Sequence, residues 1–77
     1  MLKGTRDAIL RTVRPISVHG QISFEIVFTH VDDPEEQVHA ARVGPEAIVG
    51  GALQAGDRVQ LEYLVGVVVK VTALPTA

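Results

Sequence analysis

Few side chains in this sequence could do chemistry, and most of them are histidines, acids or N-terminal basic residues. His19, His30 and His39 are of a type that binds divalent metals. If Asp33–Glu36 forms a four-residue loop, His30 and His39 face each other across a hairpin and two imidazoles could share an ion. The spacing fixes no third ligand, so these residues read as polar strand ends and no metal site is expected. The run Asp32, Asp33, Glu35, Glu36 offers oxygen ligands for a hard cation, but it lacks the spacing of any defined calcium loop and reads as a solvated turn. Neither Ser17 nor Ser23 sits in a nucleophile elbow. Gly50-Gly51 matches no phosphate-cradling loop. No catalytic residues are expected, and the chain is read as a non-enzyme.

Charge is unevenly placed. The net charge is −2, yet residues 1–20 carry a local +3 and residues 21–77 a local −5. A basic first strand with Arg6, Arg11 and Arg14 could face an anion, or the acidic surface of a neighbour. General nucleic-acid affinity needs a basic groove with aromatic side chains on its surface. Here Phe24 and Phe28 fall on an alternating apolar face, so nucleic acid is a minor alternative.

These residues must be held by strands. Ile9, Leu10, Val13, Ile16 and Val18 predict a first strand over 6–18, bent or weakened by Pro15. His19-Gly20 is a turn signal. Ile22, Phe24, Ile26 and Phe28 alternate with Gln21, Ser23, Glu25 and Thr29, with Val27 the exception on the outer face, which predicts a strand over 21–30 with one buried face. A third strand is expected over 37–43. Pro45 and Glu46 suit the start of a short helix running to Leu53, weakened by Gly50 and Gly51. Val59, Leu61, Tyr63 and Val65 predict a fourth strand, and Val67 to Leu74 a fifth, followed by a Pro75-Thr76-Ala77 tail. Three strands, a helix and two strands is the order of a five-stranded OB-like barrel, so the expected class is all-β. A permuted SH3-like barrel fits nearly as well.

Seventy-seven residues allow one domain, 1–77, with no cysteine to staple it. A chain this short buries only about 60% of its unfolded surface. Oligomerisation or a ligand is then the natural aid. The last hairpin is apolar on both faces: Val67, Val69 and Val71 on one, and Leu64, Val68 and Leu74 on the other. The second set is the expected interface between copies. No apolar run is long enough to span a membrane and no secretory signal is visible, so the expected location is cytoplasmic.

Lys3-Gly4-Thr5-Arg6-Asp7-Ala8-Ile9 resembles the opening of molbindin (TOBE) domains, a Ser-x-Arg-Asn type stretch leading into the first strand. Ser23-Phe24-Glu25-Ile26 is similar to the second strand of that family. Val38-His39-Ala40 resembles its Ile-Thr-Ala, Glu46-Ala47 its Glu-Ser, and Leu53-Gln54-Ala55-Gly56-Asp57-Arg58-Val59 its Leu-x-x-Gly-Asp-x-Val. The resemblance covers about residues 3–71. It implies oligomers that hold molybdate or tungstate at subunit interfaces, with Thr5, Arg6, Glu46 and Ala47 on the ligand-binding positions. Three departures remove a donor or a charge: Leu64 stands for the family's lysine, Ala47 for one serine and Gly4 for another.

Overall fold

The structure, a computed structural model, describes residues 3–74 of the chain. Met1-Leu2 and the Pro75–Ala77 tail lie outside the described residues. Strands β1 (Lys3–Val18), β2 (Gln21–His30), β3 (Val38–Val43), β4 (Ile48–Val49), β5 (Arg58–Leu64) and β6 (Val67–Ala73) form one sheet in the order β3-β2-β1-β5-β6-β4. All neighbours are antiparallel except β4 and β6. The sheet curls until β3 approaches β6, giving a half-barrel.

Strand β1 serves two partners. Lys3–Ile9 pairs with β5 and Ala8–Val18 pairs with β2. A bulge at Arg11 lies between the Leu10–Phe28 and Thr12–Val27 pairs. The extra residue reverses which side chains point inward. Leu10 is fully buried before it, and Val13 packs on the core after it. That explains the uneven spacing of apolar residues in this segment. Pro15 pairs opposite Phe24 and does not end the strand. Beyond Leu10, whose backbone still bonds Gly56 and Asp57, β2 alone pairs with β1 among the described residues, so the missing N–H is tolerated.

Ala8, Leu10, Ile26, Phe28, Val43, Val59, Leu61 and Val71 form the buried core. They come from the inner faces of β1, β2, β3, β5 and β6, as strand alternation requires.

Two expectations need correction. The helix expected after Pro45 is a three-residue 3₁₀ turn, Pro45–Ala47, followed by β4. Ile48 and Val49 are β-branched and extended, and Gly50 and Gly51 take φ of 102° and 103°, outside any helix. The described residues therefore form six strands, not five. The second correction concerns β6, where Glu62 pairs with Lys70 and Tyr63 with Val68, so Val69 bulges. Val67, Val69 and Val71 do not share a face. Val71 is buried and Val68 packs on the core, while Val67 and Val69 are exposed.

The β5–β6 turn is Val65-Gly66, with φ of 52° and 79°. Two successive positive φ values make a primed hairpin turn, which favours Asn-Gly. A β-branched residue there is a backbone outlier that costs about 1–2 kcal/mol.

At Gly50 a Cβ would lie 3.0 Å from the Ala73 Cβ and 3.4 Å from its backbone nitrogen. Positive φ and crowding coincide there, whereas at Gly51 a Cβ would meet nothing within 4 Å. Gly50→Ala should therefore cost about 1–3 kcal/mol in urea unfolding, more than Gly51→Ala. Equal losses would show that the close approach of β4 to β6 is unimportant.

Candidate functional site

At one end of the half-barrel the inner faces of β3, β2, β1 and β5 run past the apolar core and turn polar. His39, His30, Arg6 and Tyr63 occupy this mouth. With Gly4 and Thr5 they line an open hollow of about 340 Å³. Arg6 shares its face of β1 with buried Ala8 and Leu10, and Tyr63 shares its face of β5 with buried Val59 and Leu61. Alternation sends the Thr5 side chain to the opposite face from Arg6. Both residues also line a second hollow with Asp7, Val31, Asp32 and Arg58.

His30 is the buried member, 5% exposed. Its Nε2 and the Tyr63 hydroxyl share a 2.7 Å hydrogen bond, so neither polar tip is left unpaired. The His30 ring stands edge-on to Phe28 at 5.4 Å between centroids and lies 4.7 Å from the His39 ring. Burial first, then the positive charge of Arg6 and the neighbouring His39, hold the His30 pKa below its ordinary 6.5. Asp32 and Asp33 oppose that shift without reversing it. Burial raises the Tyr63 phenol, against a smaller opposite pull from Arg6.

Arg6 is not a free cation. Its Nη2 donates to Asp32 Oδ1 at 2.8 Å. That bond is the main reason the Asp32 carboxyl titrates below its usual range. Arg11 pairs with Glu36 at 3.5 Å and Arg14 with Glu25 at 2.8 Å. The basic first strand thus faces acids of β2 and the loop after it, within its own chain. Such exposed pairs contribute about 0–1 kcal/mol each. They set the local potential more than the stability.

The two expected ligand pairs lie apart. Thr5 and Arg6 sit at the mouth, near the His30 end of β2. Glu46 and Ala47 belong to the 3₁₀ turn, and Glu46 lines a hollow with Gln21, Ile22 and Ser23 at the other end of that strand. About seven residues of strand separate the two places, roughly 20 Å. The expected interface residues are also dispersed. Leu64 is exposed at the β5–β6 tip, Val68 packs on the core, and Leu74 is half-buried at the hairpin base, where its N–H donates to the Arg58 carbonyl.

His30 and His39 meet, but not as direct cross-strand partners. His39 pairs with Phe28, because the loop runs from Val31 to Gln37. Asp33 sets that length: its carboxylate accepts the N–H groups of Glu35 and Gln37. Among the described residues no three His, Asp or Glu side chains converge as metal ligands. His19 lies at the far β1–β2 turn. Nothing in the residue pattern marks Tyr63 as a partner of His30. The two meet across β1, which lies between β2 and β5: Ala8 pairs with His30 on one side and Gly4 with Tyr63 on the other.

No protein-family model matches this chain, and no curated protein or solved structure matches it. No helix among the described residues is long and apolar enough to cross a membrane.

The His30 environment fixes the sign of one pH dependence. Its folded pKa is depressed, so the unfolded chain binds more protons below about pH 6.5. Stability should be insensitive to this group above that pH and should fall as pH drops through 6.5 toward the folded pKa. Thermal melts across this range should show the slope, and His30→Gln should flatten it. An unchanged slope in that variant would place the responsible proton elsewhere.

Proposed function

We propose that the chain is an OB-like, self-associating binding module that holds a small tetrahedral oxyanion of the molybdate or tungstate type where copies meet. The strand order supports the OB-like part. β1 lies between β2 and β5, β3 and β6 lie outside them, and β3 curls toward β6. In this reading β5 and β6 stand as the fourth and fifth OB strands, and β4 is a short addition.

The separation of the ligand residues within one subunit carries the reading. Arg6 and Thr5 lie at one end of β2, and the Glu46-Ala47 turn lies at the other. A site that uses both sets needs two copies. Apolar side chains for such a contact are at hand: Leu64, Val65, Val67 and Val69 are all exposed on the last hairpin. Arg6 offers a donor fork beside an open hollow, as a desolvated dianion requires. The nearer alternative is an assembly module without a small ligand, favoured by the same apolar hairpin and by the Asp32 carboxylate that already occupies Arg6.

Titration calorimetry and thermal shift with molybdate decide between these two. Heat of binding and a rise in Tm at millimolar anion are expected. Arg6→Ala should abolish both. Asp32→Asn should tighten binding several-fold, because it removes the carboxylate that competes for Arg6. Neither heat nor a shift at any concentration would leave the assembly reading alone standing. Light scattering should report particles larger than one chain. A monomer at every concentration tested would reject self-association in both forms.

A further inference from the structure

We infer that copies of this chain join head to tail, with the Val65-Gly66 hairpin tip of one seated in the apolar hollow beside the Pro45–Ala47 turn of the next. This rests on the self-association proposed above and names its joint.

The tip supplies the knob. Leu64, Val65 and Val67 are 38%, 66% and 62% exposed. Val65 also holds a positive φ that asparagine would adopt more readily. The β1–β2 tip has the same conformation at His19, a residue type that tolerates it better. An unfavourable, exposed, apolar turn residue points to a role outside its own subunit.

The hollow supplies the hole. Val13, Phe24, Ile48 and Leu53 line a space of about 290 Å³ rimmed by Pro45 and Ala52. It opens at the opposite end of the half-barrel from the His30 mouth, so a tip cannot fill it within its own chain. Ile48 pairs with Val71, six residues from Val65 along an extended hairpin, or roughly 20 Å.

Charge fits the same joint. Lys70 on the outer part of β6 and Glu46 on the 3₁₀ turn are both exposed, and neither has an ion-pair partner among the described residues. Seating the tip brings Lys70 toward the neighbour's Glu46, a favourable opposite-charge approach. It also carries the start of β1 toward that neighbour's turn, because Gly4 pairs with Tyr63 and Thr5 with Glu62 just below the tip. The two halves of the proposed oxyanion site then face each other across one contact. Such a contact is heterologous: each copy gives a tip and receives one, and the assembly closes as a ring or grows as a chain.

The chain has no native cysteine, so engineered thiols report the contact without background. Val65→Cys and Ala52→Cys, prepared separately and mixed under mild oxidation, should give mainly the mixed disulfide dimer. Rapid self-dimers of Val65→Cys would mean that tips meet tips, which overturns the inference. So would an oligomer in light scattering that yields no mixed dimer, and in that case self-association itself survives. A strict monomer overturns both. Val65→Asn provides the control for folding. It should melt at a higher temperature than the unmodified chain, because it suits the turn, yet dissociate at about tenfold higher concentration. Unchanged assembly in Val65→Asn would also reject the joint. Thiol capture of a lysate protein or a small apolar compound by Ala52→Cys, without the mixed dimer, would assign the hollow to another occupant.

Discussion

One strand has to be shared. Strand β1 hydrogen-bonds β5 with its first half and β2 with its second, and both flanks are occupied only over the short overlap from Asp7 to Leu10. A straight strand cannot follow two diverging partners, so an extra residue at Arg11 bends it there. The parity change at that bulge keeps an apolar side chain inward on each side, Leu10 before and Val13 after. The curl of the sheet, and so the existence of a mouth and an opposite hollow, follows from this bend.

The core enclosed in this way is small. Among the described residues eight hydrophobic side chains are buried, and domains of this size have little stability to spare. Polar groups close the core at the mouth. The His30–Tyr63 bond lets an imidazole sit against Phe28 with its hydrogen-bonding partner supplied. Apolar groups are left over at the other margins, on the last hairpin and around Leu53. A small barrel with surplus aliphatic surface gains most from a neighbour, because burying one exposed valine or leucine contributes about 1.5–3 kcal/mol.

Much of this architecture is legible in residue order. Alternation from Ile22 to Phe28, broken by Val27 on the outer face, marks β2 over 21–30, the bounds it has in the structure. The turn glycines at 20, 56 and 66 fall where strands end. Bulges are less legible, since one extra residue has no composition of its own. Val69 reads as inward by alternation and is exposed because of the bulge. The Pro45-Glu46 helix signal is real for one turn and is then overridden by Ile48-Val49 and two glycines at positive φ. Arg6 and the histidines stand out by type, but the His39 register depends on an Asp33 turn that lengthens the loop. Tyr63 becomes part of the site only through a pairing between segments more than fifty residues apart.

That last pairing has a kinetic side. The β1–β2 and β5–β6 hairpins are local and can zip early, but Lys3 must find Leu64 near the opposite end of the chain before β1 and β5 register. Topologies dominated by such distant pairings fold in milliseconds to seconds instead of microseconds. Arg6 and Tyr63 come together only in this closing step. Any group that required the mouth would therefore meet it only in the finished molecule, and would slow opening without hastening the search.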